Sequence, residues 1–287
     1  MQKIIPGALD FIAWLKSENK RFLFLTNSSE RSPRELKEKL RRLGIEVGQE
    51  HFYTSALATA AFLAKQKPNG SAYVIGEPGL MQALYDAGYS MNDSNPDYVV
   101  VGETRNYNYA MLETAVALVR KGARLIGTNC DITDRSQDSF VPACGSLMKP
   151  IELASGRTPY YIGKPNPLIM RAALEKLKVS RSEACIIGDR LDTDILAGIQ
   201  SEIRTVLVLS GVTSLADVPL CAFRPDCILP SVGAVLEDGV EQNEDEWWNK
   251  QQQVAQISHA QQMHERQKEA AAALNKQVRG EQVAQKH

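Results

Sequence analysis

The chain has 287 residues, a formal net charge of −1, and 44% hydrophobic against 23% charged residues. Its length is enough to bury one large core or two smaller ones. That balance excludes wholesale disorder and a basic nucleic-acid-binding face, and no apolar run approaches the length that crosses a bilayer. The five cysteines, Cys130, Cys144, Cys185, Cys221 and Cys227, form no Cys-x-x-Cys pair and are odd in number. This fits a reduced, cytoplasmic protein. Residues 1–7 do not read as a signal peptide.

Residues 4–230 alternate short apolar runs with amphipathic stretches, the pattern of an α/β protein. A helix is predicted over residues 7–20, with Leu9, Ile12, Ala13 and Leu15 on one side, then a strand over 22–25. Ser32-Pro33-Arg34-Glu35 marks a helix start: Ser32 is the N-cap, Pro33 takes the first helical position, and Glu35 is placed to close a capping box. That helix stops at Gly44. Another covers 55–65, before the break at Pro68-Asn69-Gly70. Residues 71–157 repeat the grammar as a compact insertion, with strands at 72–76, 98–102 and 124–127 and helices between them, notably 111–121. The first unit then resumes with a strand at 160–162, a helix over 167–177, a strand at 185–187, a helix over 193–200 and a strand at 205–209. Residues 237–287 are rich in Gln, Glu, Lys and Ala and nearly empty of aromatic residues apart from Trp247-Trp248. They predict a polar helix or a disordered tail. The expected division is a core of residues 1–70 and 158–236, an inserted domain of 71–157, and the tail.

Three of these apolar runs end abruptly in polar groups: Thr26-Asn27-Ser28-Ser29, Gly163-Lys164-Pro165-Asn166-Pro167, and Gly188-Asp189-Arg190-Leu191-Asp192-Thr193-Asp194. In an open α/β sheet, ligands bind at the carboxyl ends of the strands. A hydroxyl, a lysine and a carboxylate delivered there suit Mg²⁺ and a phosphate group. Asp189 sits where a hard cation takes an oxygen ligand, and Asp194 supports it. Asp192 and Asp194 would also be favoured simply by a helix start. The prolines after Lys164 fix its backbone, so its ammonium can neutralise phosphate rather than snorkel into solvent. Thr26 and Asn27 offer donors to phosphate, although Thr-Asn-Ser-Ser is also ordinary turn chemistry.

The insertion offers candidates for substrate contact in Glu103 and Arg105, in Asn129 and Asp131, and in Pro142-Ala143-Cys144-Gly145-Ser146. A lone loop arginine is as readily solvated. His51, His259, His264 and His287 show no ligand spacing. No Asp-x-Asp pair precedes Thr26, and Asp10, the one aspartate before it, falls in the first helix.

The ordered motifs resemble the haloacid-dehalogenase (HAD) superfamily of phosphatases, specifically its NagD-type, p-nitrophenylphosphatase-like branch, over residues 1–236. The resemblance implies a Rossmann-like core with a C2-type α/β cap inserted between the second and third motifs. It implies Thr26 and Asn27 on the transferring phosphoryl group, Lys164 as the third-motif lysine, and Asp189 on Mg²⁺ with Asp194 in support. The cap would select among nucleotide or sugar monophosphates. The family's first motif, Asp-x-Asp-Gly, supplies the nucleophile, the general acid and Mg²⁺ ligands from a strand in the middle of the sheet. Nothing before Thr26 matches it. The expectation is therefore a core without its central strand, with about ten backbone groups on the neighbouring strands lacking partners. Phosphoaspartyl chemistry is not expected from the chain as it stands. It would be either an N-terminally incomplete phosphatase or a pseudophosphatase that binds a phosphate ligand or acts as a scaffold. The expected partner is a small phosphorylated metabolite, with no nucleic acid and no membrane, and the oligomeric state is open between a monomer and a homo-oligomer.

Overall fold

The structure, a computed structural model, describes residues 4–136 and 139–238. Helix α1 (Ala8–Ser17) starts at Gly7, whose φ is 76°. A Cβ there would run into the Cα of Gly233, so the helix start and the 231–234 segment meet as closely as only glycines permit. Strand β1 (Phe24–Thr26) follows, then α2 (Pro33–Arg41). The predicted capping box is present: the Ser32 hydroxyl accepts the Glu35 N–H, and the Glu35 carboxylate accepts the Ser32 N–H at 2.8 Å. Those bonds to Ser32 hold the Glu35 carboxyl below its usual range. Strand β2 (Phe52–Thr54) pairs in parallel with β1, and the Thr54 hydroxyl caps α3 (Ser55–Gln66).

The insertion runs through β3 (Ser71–Ile75), α4 (Pro78–Asp86), β4 (Ser90–Met91), β5 (Tyr98–Val101), α5 (Tyr109–Lys121) and β6 (Arg124–Gly127). It continues through the antiparallel hairpin β7 (Thr133–Ser136) and β8 (Ser139–Pro142), α6 (Cys144–Ser155) and β9 (Tyr160–Tyr161). Five of its strands form one parallel sheet in the order β4-β3-β5-β6-β9. β5 is buried at every position, which is why it reads as an unbroken apolar run. The strand expected to resume the core at 160–162 instead pairs with β6. The chain then forms α7 (Pro167–Leu177), β10 (Cys185–Gly188), α8 (Leu196–Gln200), β11 (Arg204–Val208), β12 (Cys227–Leu229) and α9 (Val235–Asp238). β10, β11 and β12 make a parallel sheet in that order. The helix expected over 193–200 opens as a π-helical turn, Leu191–Ile195, before α8.

Among the described residues, β1 pairs only with β2, and β10 only with β11. Among the described residues, no strand pairs with both β1 and β10, and the two do not pair with each other. Thr26 and Gly188, at the ends of these two strands, line the same cleft, so both strands point their carboxyl ends at it. Leu25 and Ile187 line it as well, so the cleft continues between the strands. Helix α1 backs this gap: Phe11 and Ile12 pack in one cluster with Phe22 and Phe24 on one side and Ile187 on the other. A separate cluster ties α3 and β5 to Ile169, Ile186 and Ala197, joining the insertion to the core. No described helix is long and apolar enough to cross a membrane. The five cysteines form no disulfide. The tail expected over 237–287, with Trp247-Trp248, lies beyond residue 238 for nearly all its length and so outside the described residues.

Candidate active site

A cleft of about 330 Å³ opens at the ends of β1 and β10. Thr26, Asn27, Lys164, Asp189 and Asp194 all line it, so the three strand-end motifs meet at one place. Lys164 is buried there, and its Nζ donates to Asp194 Oδ1 at 2.6 Å and to the Leu25 carbonyl at 3.0 Å. The lysine thus reaches from the far side of the cleft to the backbone of β1. Asn27 is committed through its whole side chain. Its Oδ1 accepts the Lys164 N–H at 2.8 Å, and its Nδ2 donates to the Lys164 carbonyl at 3.0 Å and to Asp131 Oδ2 at 2.8 Å. Only its backbone is left for a ligand, a narrower role than a direct side-chain contact with phosphate. Thr26 Oγ1 accepts the Ser28 N–H at 3.1 Å and keeps its proton to donate.

Asp189 is steadied by the loop after β11. Its Oδ2 accepts the Val212 N–H at 2.8 Å, and its carbonyl accepts the Thr213 N–H at 3.0 Å. Asp194 has both oxygens engaged, one by Lys164 and the other by the Arg190 N–H at 3.2 Å. Arg190, to which the sequence assigns no role, holds Asp192 with Nε and Nη2 at 3.1 and 2.9 Å. That pairing raises its pKa above the usual value. Its Nη2 also stands 3.8 Å from Asp131 Oδ1.

The insertion's candidates separate into two kinds. Glu103 and Asp131 line the cleft, whereas Asn129 and Arg105 do not. Glu103 accepts from the Ser29 N–H at 2.9 Å, from Ser29 Oγ at 2.5 Å and from Asn129 Nδ2 at 2.5 Å. Burial still pushes its carboxyl above the usual range. Asn129 is fully buried and also donates to the Asn27 carbonyl at 2.8 Å. Together Glu103 and Asn129 pin the insertion to the Asn27–Ser29 turn. Arg105 is exposed, with its backbone N–H on Glu77. Cys144 and Gly145 are buried at the start of α6, where the Cys144 Sγ donates to the Val101 carbonyl at 3.2 Å, and Ala143 alone of that segment lines the cleft.

Among the described residues, no three His, Cys, Asp or Glu side chains gather as a metal cluster. Mg²⁺ is commonly held by one or two carboxylates together with phosphate oxygens and water. Asp189, with one oxygen on Val212 and the other uncommitted, fits that minimum. Asp194 is already engaged with Lys164, so its support for a metal is indirect: it fixes the neighbouring cation.

The arrangement is that of a ligand site at the carboxyl ends of the strands of an α/β fold. Residues 1–90 match the family pattern described as haloacid dehalogenase-like hydrolase, and residues 161–235 match the pattern described as HAD-hydrolase-like. The chain is 46% identical over 231 residues to the ribonucleotide monophosphatase NagD of Escherichia coli K12, covering 80% of this chain and 91% of that protein. It is 44% identical over 235 residues to a dihydroxyacetone phosphatase of Corynebacterium glutamicum, covering 82% and 86%. The solved structure of NagD from E. coli K-12 superposes with a TM-score of 0.76 over 81% of this chain and 92% of that one. A p-nitrophenyl phosphatase from Archaeoglobus fulgidus, 34% identical, gives 0.77 over 81% and 92%. The chain belongs to the HAD family of hydrolases, in its NagD-type branch.

Proposed function

We propose that this chain forms the Mg²⁺-dependent site of a phosphatase for small phosphate monoesters, nucleotide or sugar monophosphates. We further propose that its nucleophile arrives on a strand seated between β1 and β10. What carries the proposal is the meeting of Thr26, Lys164 and Asp189 in one cleft that continues into the gap between those strands. Relatives named for ribonucleotide monophosphates and for dihydroxyacetone phosphate support the substrate class. The Thr26 hydroxyl and the Lys164 ammonium hold and neutralise the phosphoryl oxygens. Mg²⁺, when bound at Asp189, adds further charge stabilisation. The first carboxylate of that strand's Asp-x-Asp pair attacks phosphorus, the ester P–O bond breaks, and the leaving oxygen takes the proton held by the second carboxyl. Water then cleaves the phosphoaspartyl bond. The insertion, residues 71–157 with β9 added at the edge of its sheet, serves as the cap over a core drawn from residues 1–70 and 158–236, in a cytoplasmic protein.

The residues that line the cleft account for binding, and the attacking carboxylate is assigned to the strand that fills the gap. The same gap favours a second reading, a pseudophosphatase that binds a phosphate ligand. Fusing an apolar strand ending in Asp-x-Asp ahead of Met1 and assaying p-nitrophenyl phosphate separates the two. Mg²⁺-dependent hydrolysis by the fusion and none by the original chain is the expected result. A folded fusion that binds phosphate but turns over nothing refutes the catalytic proposal and leaves the binding one.

A further inference from the structure

The carboxylate of Asp131 differs from those of Glu103, Asp189 and Asp194, which line the same cleft. Glu103 is satisfied by Ser29 and Asn129, Asp194 by Lys164 and Arg190, and Asp189 is braced by Val212. Asp131 is held at one oxygen only, by Asn27 Nδ2 at 2.8 Å. Its Oδ1 is buried and has no hydrogen-bond partner. Arg190 Nη2, at 3.8 Å, is too far to serve as one and is turned to Asp192 instead. A buried carboxylate oxygen without a donor is costly, so its persistence at a ligand cleft calls for an explanation. The Asp131 side chain is held in place by that bond from Asn27, and its backbone by the N–H that donates to Asn129 Oδ1 at 3.1 Å. The residue that grips it, Asn27, belongs to the turn beside Thr26 and also holds the Lys164 backbone. Asp131 therefore lines the phosphate end of the cleft, on the side contributed by the insertion, with Oδ1 just beneath the surface.

We propose that Asp131 is a specificity-determining residue, its Oδ1 accepting a hydrogen bond from a hydroxyl of the leaving group near the ester oxygen. This rests on the phosphate-monoester reading above and narrows it to hydroxylated leaving groups. An alkyl phosphate leaves Oδ1 without a donor. A leaving group with a carboxylate in that position meets Asp131 as a like charge, with Glu30, Glu103 and Asp134 also lining the cleft. The Arg190 guanidinium, already held by Asp192, retains Asp131 as its second neighbour when the hydroxyl enters.

The test is calorimetric titration of the full chain in Mg²⁺ with inorganic phosphate, glycerol 3-phosphate, n-propyl phosphate and 3-phosphoglycerate. Glycerol 3-phosphate is expected to bind about tenfold more tightly than n-propyl phosphate, the worth of one charge-assisted hydrogen bond. 3-Phosphoglycerate keeps the hydroxyl beside the ester carbon but adds a carboxylate one carbon further on, so it is expected to bind more weakly than glycerol 3-phosphate among the acidic groups that line the cleft. In Asp131→Asn the amide oxygen stays on Asn27 and the NH₂ takes the place of Oδ1. The preference over n-propyl phosphate should then shrink to about twofold to threefold, because the neutral NH₂ can only donate to the hydroxyl and the charge-assisted bond is lost, while affinity for inorganic phosphate changes less than about twofold. Equal binding of glycerol 3-phosphate and n-propyl phosphate, or an unchanged ratio in Asp131→Asn, overturns the role of Asp131 and leaves the phosphate site standing. Failure of inorganic phosphate and all three esters to bind overturns the phosphate reading itself, and this inference with it.

Discussion

Lys164 is the residue whose removal is most informative, because it joins the strand-end motifs physically. Its side chain is only 10% exposed and that of its partner Asp194 only 9%. In Lys164→Met the volume is nearly kept, but Asp194 loses its counter-ion and keeps only the Arg190 N–H, while the Leu25 carbonyl loses its donor. Removing one member of a buried pair typically costs about 3–5 kcal/mol, because an uncompensated charge remains. For a chain of this size that lowers the thermal midpoint by ~10 °C. Lys149→Ala, which breaks a pair whose lysine is 54% exposed, is the control and should cost less than about 1 kcal/mol. Urea unfolding of wild type, Lys164→Met, Asp194→Asn and the double variant gives the coupling directly. The double variant should recover part of the loss, with an interaction of about 1–3 kcal/mol. A Lys164→Met variant as stable as the Lys149→Ala control, or strictly additive effects, would refute the account of a buried pair spanning the cleft.

Three further outcomes follow from named contacts. A Cβ at Gly211 would run into Asp189 Oδ2, so Gly211→Ala should displace that carboxylate from Val212 and weaken Mn²⁺ binding, read by electron paramagnetic resonance, about tenfold. Unchanged Mn²⁺ affinity would show that the brace does not position Asp189. Burial pushes the Asp131 carboxyl above its usual range, against the opposing bond from Asn27. The stability linked to its proton is therefore complete below the unfolded pKa of about 3.9 and lost as pH rises through the raised folded value. Asp131→Asn should flatten the decline in urea midpoint as pH rises above about 4, and an unaltered slope would contradict the assignment. Ser32→Ala removes the cap of α2 and should cost about 1 kcal/mol in urea unfolding without changing phosphate affinity. A loss of affinity would mean that α2 bears on the cleft.

The sequence makes the strand ends legible because local chemistry announces them. Apolar runs that break into Thr26-Asn27, Gly163-Lys164-Pro165 and Gly188-Asp189 need no tertiary information to be placed at a sheet's edge. The same holds for α7, where Asn166 caps and Pro167 opens the helix, and for the box at Ser32. Strands of two to four residues are less legible: β2, β4 and β12 have no room for a period, and Phe-Tyr-Thr reads equally as the approach to α3. Strand β9 joins the insertion because Tyr160 and Tyr161 find the free edge of β6, a choice made by three-dimensional neighbours and not by composition. Within the site, residue types were readable but their commitments were not. Nothing in the spacing shows that the Asn27 side chain is used up on Lys164 and Asp131, that Arg190 is tied to Asp192, or that Glu103 is satisfied while Asp131 is not. Apart from the Arg190–Asp192 pair, which lies two positions apart, those differences come chiefly from contacts between residues about 75–140 positions apart, which only the folded chain brings together.

The central claim is that Thr26, Lys164 and Asp189 form a phosphate site that works with Mg²⁺. Amide NMR of the full chain, titrated with inorganic phosphate in the presence and absence of Mg²⁺, addresses it most directly. The account predicts Mg²⁺-dependent shifts concentrated at Asn27, Ser28, Lys164, Gly188 and Asp189, abolished in Asp189→Asn. Shifts that ignore Mg²⁺, or that fall away from these strand ends, would contradict it.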